Sequence, residues 1–225
     1  MARTYLRISR NTELALAADR PRLRGTSHFV AALLALPGAA VWTLAQDTVR
    51  ARAGVALFGF GVAVMFTCSA LLHLRRWDAA MHERLFRLDH SGIYAAIGGS
   101  AAGIAVLGLD GWPRRAMLIG AAVGTGVGVL LEWLPFAPPR GLSNSVYITL
   151  GWLPVLLLPW LWIAEGVAVV LLIVAGGVLY TSGAVIVALR RPDVLPGWFG
   201  YHELFHALVI LAVVLHAAAV ALLLG

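Results

Sequence analysis

The chain has 225 residues, of which 60% are hydrophobic and only 12% charged, with a formal net charge of +6. A soluble globular protein of this length carries far more charge, so the composition excludes that class and points to a polytopic membrane protein of one domain. All 17 basic residues are arginine and Cys68 has no second cysteine to pair with. The positive charge is therefore read as setting topology and meeting anionic lipid headgroups, with no nucleic-acid partner expected.

In chain order, residues 1–25 read as a short arginine-rich cytoplasmic tail that lacks the apolar stretch of a secretory signal. A spanning helix needs about 20 mostly apolar residues, and seven segments qualify, at roughly 27–46, 53–73, 89–109, 116–134, 145–163, 166–189 and 202–224. The third is rich in Gly, Ala and Ser. The fifth contains Pro154 and Pro159, which predict a kink held by neighbouring helices. Glycines at 120, 124 and 128, at 98, 99 and 103, and at 176, 177 and 183 read as faces for close helix packing. The expected fold is an all-α seven-helix membrane bundle over residues 26–225. No internal repeat is seen, which weighs against the inverted-repeat transporters.

Arginine placement orients the bundle. With the N-terminus cytoplasmic, the inner segments 1–25, 74–88, 135–144 and 190–201 hold most of the arginines, and the outer ones only Arg50, Arg52, Arg114 and Arg115. The expectation is therefore N-terminus inside and C-terminus outside. Trp77, Trp133 and Trp198 fall at the inner boundary, as an aromatic belt does.

That topology puts three polar clusters at one depth near the cytoplasmic face. Ser69 and His73 end the second span, Asp89 and His90 open the third, and His202-Glu203-Leu204-Phe205-His206 opens the seventh. Each pair spaced i,i+4 shares a helix face. His202 and His206 can grip one metal ion, His73 offers a third nitrogen, and Asp89 completes a tetrahedral set directly or through water. Three nitrogens plus an open position is the arrangement of a catalytic zinc. His90 points about 100° away from Asp89 around the helix and is kept as a candidate to support the ligands.

The plainer readings stand beside this one. A lone histidine at a membrane boundary is usually interfacial, so His28 and His82 need no function. His216 lies roughly 15 Å deeper than His206, too far for the same ion, and is expected to hydrogen-bond a neighbour. HELFH matches the H-E-x-x-H metalloprotease motif, and Leu109-Asp110-Gly111 is reminiscent of the third-ligand motif of intramembrane site-2 proteases. Asp110, however, falls at the opposite membrane face, and the motif order is reversed. Glu203 reads better as a carboxylate favouring a helix N-terminus. Glu132 is either a support for the metal site or the partner of a loop arginine. A retinal protein needs a Schiff-base lysine, which the chain lacks. A b-type haem between His73 and His206 is an alternative that a visible spectrum resolves.

Taken together, SALLH, LDHSGIY, GGVLYTSGAVIVALRRPD and YHELFHALVILAVVLH resemble the hemolysin III family of the progestin and adipoQ receptor superfamily, which includes the adiponectin receptors. The resemblance covers about residues 24–225 and is carried by S-x-x-x-H, D-H and H-x-x-x-H in combination. It implies a seven-helix bundle in the cell membrane with its N-terminus on the cytoplasmic side. It also implies zinc on His73, His202 and His206, with Asp89 holding the metal-bound water and Ser69 beside it. The long cytoplasmic domain of the animal receptors is missing, so partners that dock there are not carried over.

The resemblance further implies hydrolase-like chemistry on a lipid acyl amide or ester entering from the bilayer. The alternatives are a lipid sensor with structural zinc and a cytolytic protein. The last finds little in the sequence, which has neither a long amphipathic segment nor a polar pore lining.

Overall fold

The computed structural model describes residues 8–17, 19–134 and 142–225. Arg3, Arg7 and Arg140, which count toward the expected orientation, lie outside the described residues. The helices are α1 (Arg10–Ala17), α2 (Thr26–Leu44), α3 (Val49–His73), α4 (Ala79–Gly108), α5 (Gly111–Glu132), α6 (Leu142–Trp152), α7 (Leu158–Glu165), α8 (Val167–Leu189) and α9 (Tyr201–Leu222). A 3₁₀ segment, Leu153–Leu157, joins α6 to α7. Among the described residues, seven stretches are long and apolar enough to cross a membrane, with Ser145–Glu165 counting as one across the α6–α7 break. Among the described residues there is no β-strand. The chain is a multi-pass, seven-helix membrane bundle.

Local chemistry explains the boundaries. Thr48 caps α3 by accepting from the amide of Ala51 at 3.1 Å, and Asp78 caps α4 by accepting from Met81 at 2.9 Å. These bonds satisfy amides that the first helical turn leaves without partners. The α4 cap moves the start of the third span from the expected 89 to Ala79. Asp89 and His90 therefore lie well inside a 30-residue helix rather than at its opening. Hydropathy undervalues residues 79–88 because they are charged, yet Glu83 and Arg87 form an i,i+4 pair at 3.1 Å that supports helix there. The fourth span also starts early, at Gly111, with Pro113 in its first turn where a missing amide costs little. The expected kink in the fifth span is the 3₁₀ segment, with Pro154 inside it and Pro159 in the first turn of α7.

The core lies between α3, α4 and α9 and is built from Val55, Phe58, Met65, Ile104, Val209 and Val220. Close approach of α3 and α4 depends on glycine. A Cβ on Gly61 would sit 2.3 Å from the carbonyl oxygen of Ala95, and one on Gly99 2.5 Å from that of Leu57. The outward faces stay apolar, with Leu34 68% and Ile163 85% exposed, as lipid-facing positions require.

The N-terminal segment is more structured than a tail. α1 lies against α4, and residues 19–25 cross the same end of the bundle as a strap. The amides of Arg22 and Leu23 donate to the carbonyls of Gly197 and Trp198 at 3.0 and 3.2 Å. The Arg22 guanidinium sits 4.5 Å over the Trp198 ring.

Candidate metal centre

α3 delivers His73 from its last residue, and α9 delivers His202 and His206 from its first two turns. One ring nitrogen from each of the three lies within 4.8 Å of the others. The Nε2 atoms of His73 and His202 are 3.2 Å apart. In a tetrahedral zinc site with Zn–N bonds of 2.0–2.1 Å, nitrogen-to-nitrogen edges are about 3.4 Å. The two nitrogens are thus already at the spacing a shared cation imposes. Three converging imidazoles also form a donor set suited to such an ion.

Asp89 stands beside them, with Oδ2 3.7 Å from His73 Nε2. That is too long for a hydrogen bond, and the carboxylate opens onto the cavity described below. Ser69 lies one turn before His73 and is buried, and its Oγ is 2.8 Å from Nδ1 of His28. His28 was read from the sequence as an interfacial residue without function; the structure places it inside the cluster. It is only 2% exposed, and its ring stacks on His206 at 3.7 Å and 9°. Its position in the sequence carries no signal, because its partners are 41 and 178 residues away.

Other candidates fall elsewhere. His90 turns from the cluster, its Nδ1 3.3 Å from Oε2 of Glu132. The Glu132 carboxylate thus faces a histidine, and Arg87 donates to the Glu132 backbone carbonyl at 3.1 Å; the loop arginine, Arg140, lies outside the described residues. His216 Nε2 donates to the Ile173 carbonyl at 3.2 Å. Asp110 is 74% exposed at the far end, paired with Arg50 and Arg114. Cys68 is free and partly buried.

Two buried carboxylates fasten this end of the bundle. Glu203 accepts from the Gly200 amide at 2.8 Å and is paired with Arg24 of the strap. This fixes the first turn of α9, and with it His202 and His206. Glu83, which the sequence reading passed over, accepts from the amide and hydroxyl of Ser9 at 3.0 and 2.7 Å, from Thr12 at 2.7 Å and from Arg87 at 3.1 Å. His82 Nδ1 is 3.2 Å from the Thr12 hydroxyl. Arg20 donates to the carbonyl of His73. Gly25, at φ +81°, crosses so close that a Cβ would lie 2.7 Å from the His73 backbone, so both conformation and contact demand glycine there.

Below the cluster runs a cavity of about 870 Å³, within the range of small-molecule sites. Along α4 it is lined from Phe86 to Ala105, a length of about 29 Å at 1.5 Å per residue. Its deep walls are mainly apolar, with Ile104, Met117 and Leu161 among them, and carry Ser100, Tyr180 and His216 as polar exceptions.

Residues 16–217 match the profile of the family described as Haemolysin-III related. The chain belongs to that family. It is also 27% identical over 169 residues to "Hemolysin-3" of Bacillus cereus, a match covering 71% of this chain and 74% of that protein. The haemolysin III match spans the strap, the three histidines and Asp89, so the cluster falls within the shared region.

Proposed function

We propose that this haemolysin III protein is a zinc-dependent hydrolase of lipid acyl amides or esters, with its site near the cytoplasmic face of the cell membrane. The observation that carries the reading is the three-histidine cluster, with a carboxylate beside it, at the head of a long apolar cavity. Such a shaft suits an acyl chain, and its polar head places the chain's carbonyl end beside the histidines.

A zinc ion held by His73, His202 and His206 would polarise a carbonyl and make water a nucleophile near neutral pH. The chain's own residues supply the rest. Asp89 Oδ2 takes the proton from the attacking water and returns it to the leaving group. Ser69 Oγ, held by His28, hydrogen-bonds the oxygen on which negative charge develops. The apolar walls keep water from the acyl chain below the reacting carbonyl.

The test is metal analysis of detergent-purified protein, followed by incubation with a panel of acyl amides and esters. About one zinc per chain is expected. His202→Ala and His206→Ala should each weaken zinc binding on the order of 100-fold, because a site with two remaining nitrogens holds the ion poorly. Full occupancy in both variants would remove the site. Orientation has its own test: a reporter after Gly225 should be active only when exported, and one near Arg76 only when cytoplasmic.

A further inference from the structure

The cavity opens among arginines. Arg20, Arg75, Arg76 and Arg190 all line it at the end where His73 and His202 stand. They come from three separate segments: the strap, the turn after α3 and the C-terminus of α8. A fifth, Arg24, lines the same opening and is neutralised by Glu203. The mouth's carboxylates are Asp19 and Asp193, and Asp193 also accepts from the amide of Tyr201 at 3.3 Å. The four other arginines thus face two carboxylates, with Asp89 lying deeper beside His73.

The cations crowd one another. Burial first, and then the neighbouring charges of Arg24 and Arg76, push the pKa of Arg20 below its ordinary value. Arg75 is held with its guanidinium 4.0 Å over the Trp77 ring. Arginine is the side chain best suited to grip phosphate or carboxylate oxygens in pairs.

We propose that this mouth is a binding site for the anionic headgroup, phosphate or carboxylate, of a single-chain amphiphile whose tail fills the apolar shaft. The proposal takes the shaft as an acyl site from the reading above and adds the charge of the molecule it admits. Arg20 bonds the backbone of His73, so the anion is received within one residue of the metal cluster. A bond between headgroup and chain then lies at the histidines. Neutral amphiphiles fill the shaft but leave the arginines uncompensated.

The experiment uses the full-length protein, freed of metal by chelation, in nanodiscs of zwitterionic lipid, with empty nanodiscs as baseline. Three probes are titrated: dodecyl phosphate, dodecyl maltoside and inorganic phosphate. Dodecyl phosphate should bind roughly tenfold or more tightly than the maltoside, and that margin should shrink at about 0.5 M salt, where the screening length falls to a few ångströms. The double variant Arg76→Gln with Arg190→Gln should lose most of the margin. Arg76→Lys with Arg190→Lys should keep part of it, and Arg22→Gln, outside the mouth, should keep all of it. Equal affinity for the two amphiphiles, or a margin indifferent to salt, would overturn the anionic site and leave the acyl cavity standing. Inorganic phosphate binding as tightly as dodecyl phosphate would reassign the mouth to a free anion. Binding of neither amphiphile would overturn both the mouth and the shaft.

Discussion

Two regions at the same end of the bundle handle buried negative charge in opposite ways. In the fastening region, Glu83 and Glu203 are each 2% exposed and surrounded by donors. Glu83 gathers two side-chain hydroxyls, a backbone amide and Arg87, while Glu203 gathers a backbone amide and Arg24. In the metal region, Asp89 has His73 at 3.7 Å and otherwise faces the cavity. A carboxylate already engaged by donors is fixed in place and has less capacity left for a substrate. One that opens onto a cavity keeps acceptor capacity free. Similar chemistry thus serves as a clamp in one place and leaves a carboxylate with free acceptor capacity in the other, and the difference is set by neighbours rather than by burial.

The largest effect expected from this contrast is at Asp89. Asp89→Asn keeps the three histidine nitrogens, so zinc and fold should persist. Any hydrolysis found with the acyl panel should fall by roughly 100-fold or more, the scale of losing an acid–base group. Metal analysis, a melting curve and turnover, measured on the same preparation, check this. If the variant loses its zinc and melts early, Asp89 is a ligand that closes the site. The protein would then read as a lipid sensor with structural metal.

Glu83→Gln probes the other side of the comparison. It leaves the shape of the clamp but weakens charge-assisted bonds to Ser9, Thr12 and Arg87, at a cost of about 1–3 kcal/mol. The melting temperature should drop and α1 should become susceptible to protease, while zinc affinity changes by less than about threefold. Loss of zinc in this variant would mean that the clamp and the metal region are one unit.

How much of this was legible follows the same division. The convergence of His73, His202 and His206 could be read because helical spacing puts Ser69 with His73 and His202 with His206, and alternating spans bring both pairs to one depth. Membrane crossing fixes depth much as a sheet fixes register. The clamp was legible only at Glu203, whose place at the N-terminus of α9 the structure bears out; its pairing with Arg24 and the whole of the Glu83 half were not. Glu83 lies in AAMHERLFRL, which fails a hydropathy test because of its charges, although Asp78 and the Glu83–Arg87 pair make it helix. His28 looked like any boundary histidine, because stacking on His206 and bonding to Ser69 depend on how α2 packs against α3 and α9. The strap depends on backbone bonds to Gly197 and Trp198 that no side-chain pattern announces.

The smallest effect is expected at His90, which tests whether proximity in sequence to Asp89 means membership in the site. Successive residues on a helix diverge by about 100°, and the structure shows the result: His90 Nδ1 lies 3.3 Å from Glu132 and its ring sits 4.2 Å from that of Phe86. His90→Gln retains a side chain able to donate to Glu132, so it should cost no more than about 1 kcal/mol of stability. Zinc affinity should stay within about threefold of the parent, since no ligand and no ligand-bearing turn is touched. Isothermal titration with zinc, run beside Asp89→Asn, gives the comparison directly. Should His90→Gln weaken zinc as strongly as His206→Ala, the His90–Glu132 pair would belong to the metal region, with Glu132 a carboxylate acting on the ion through a histidine.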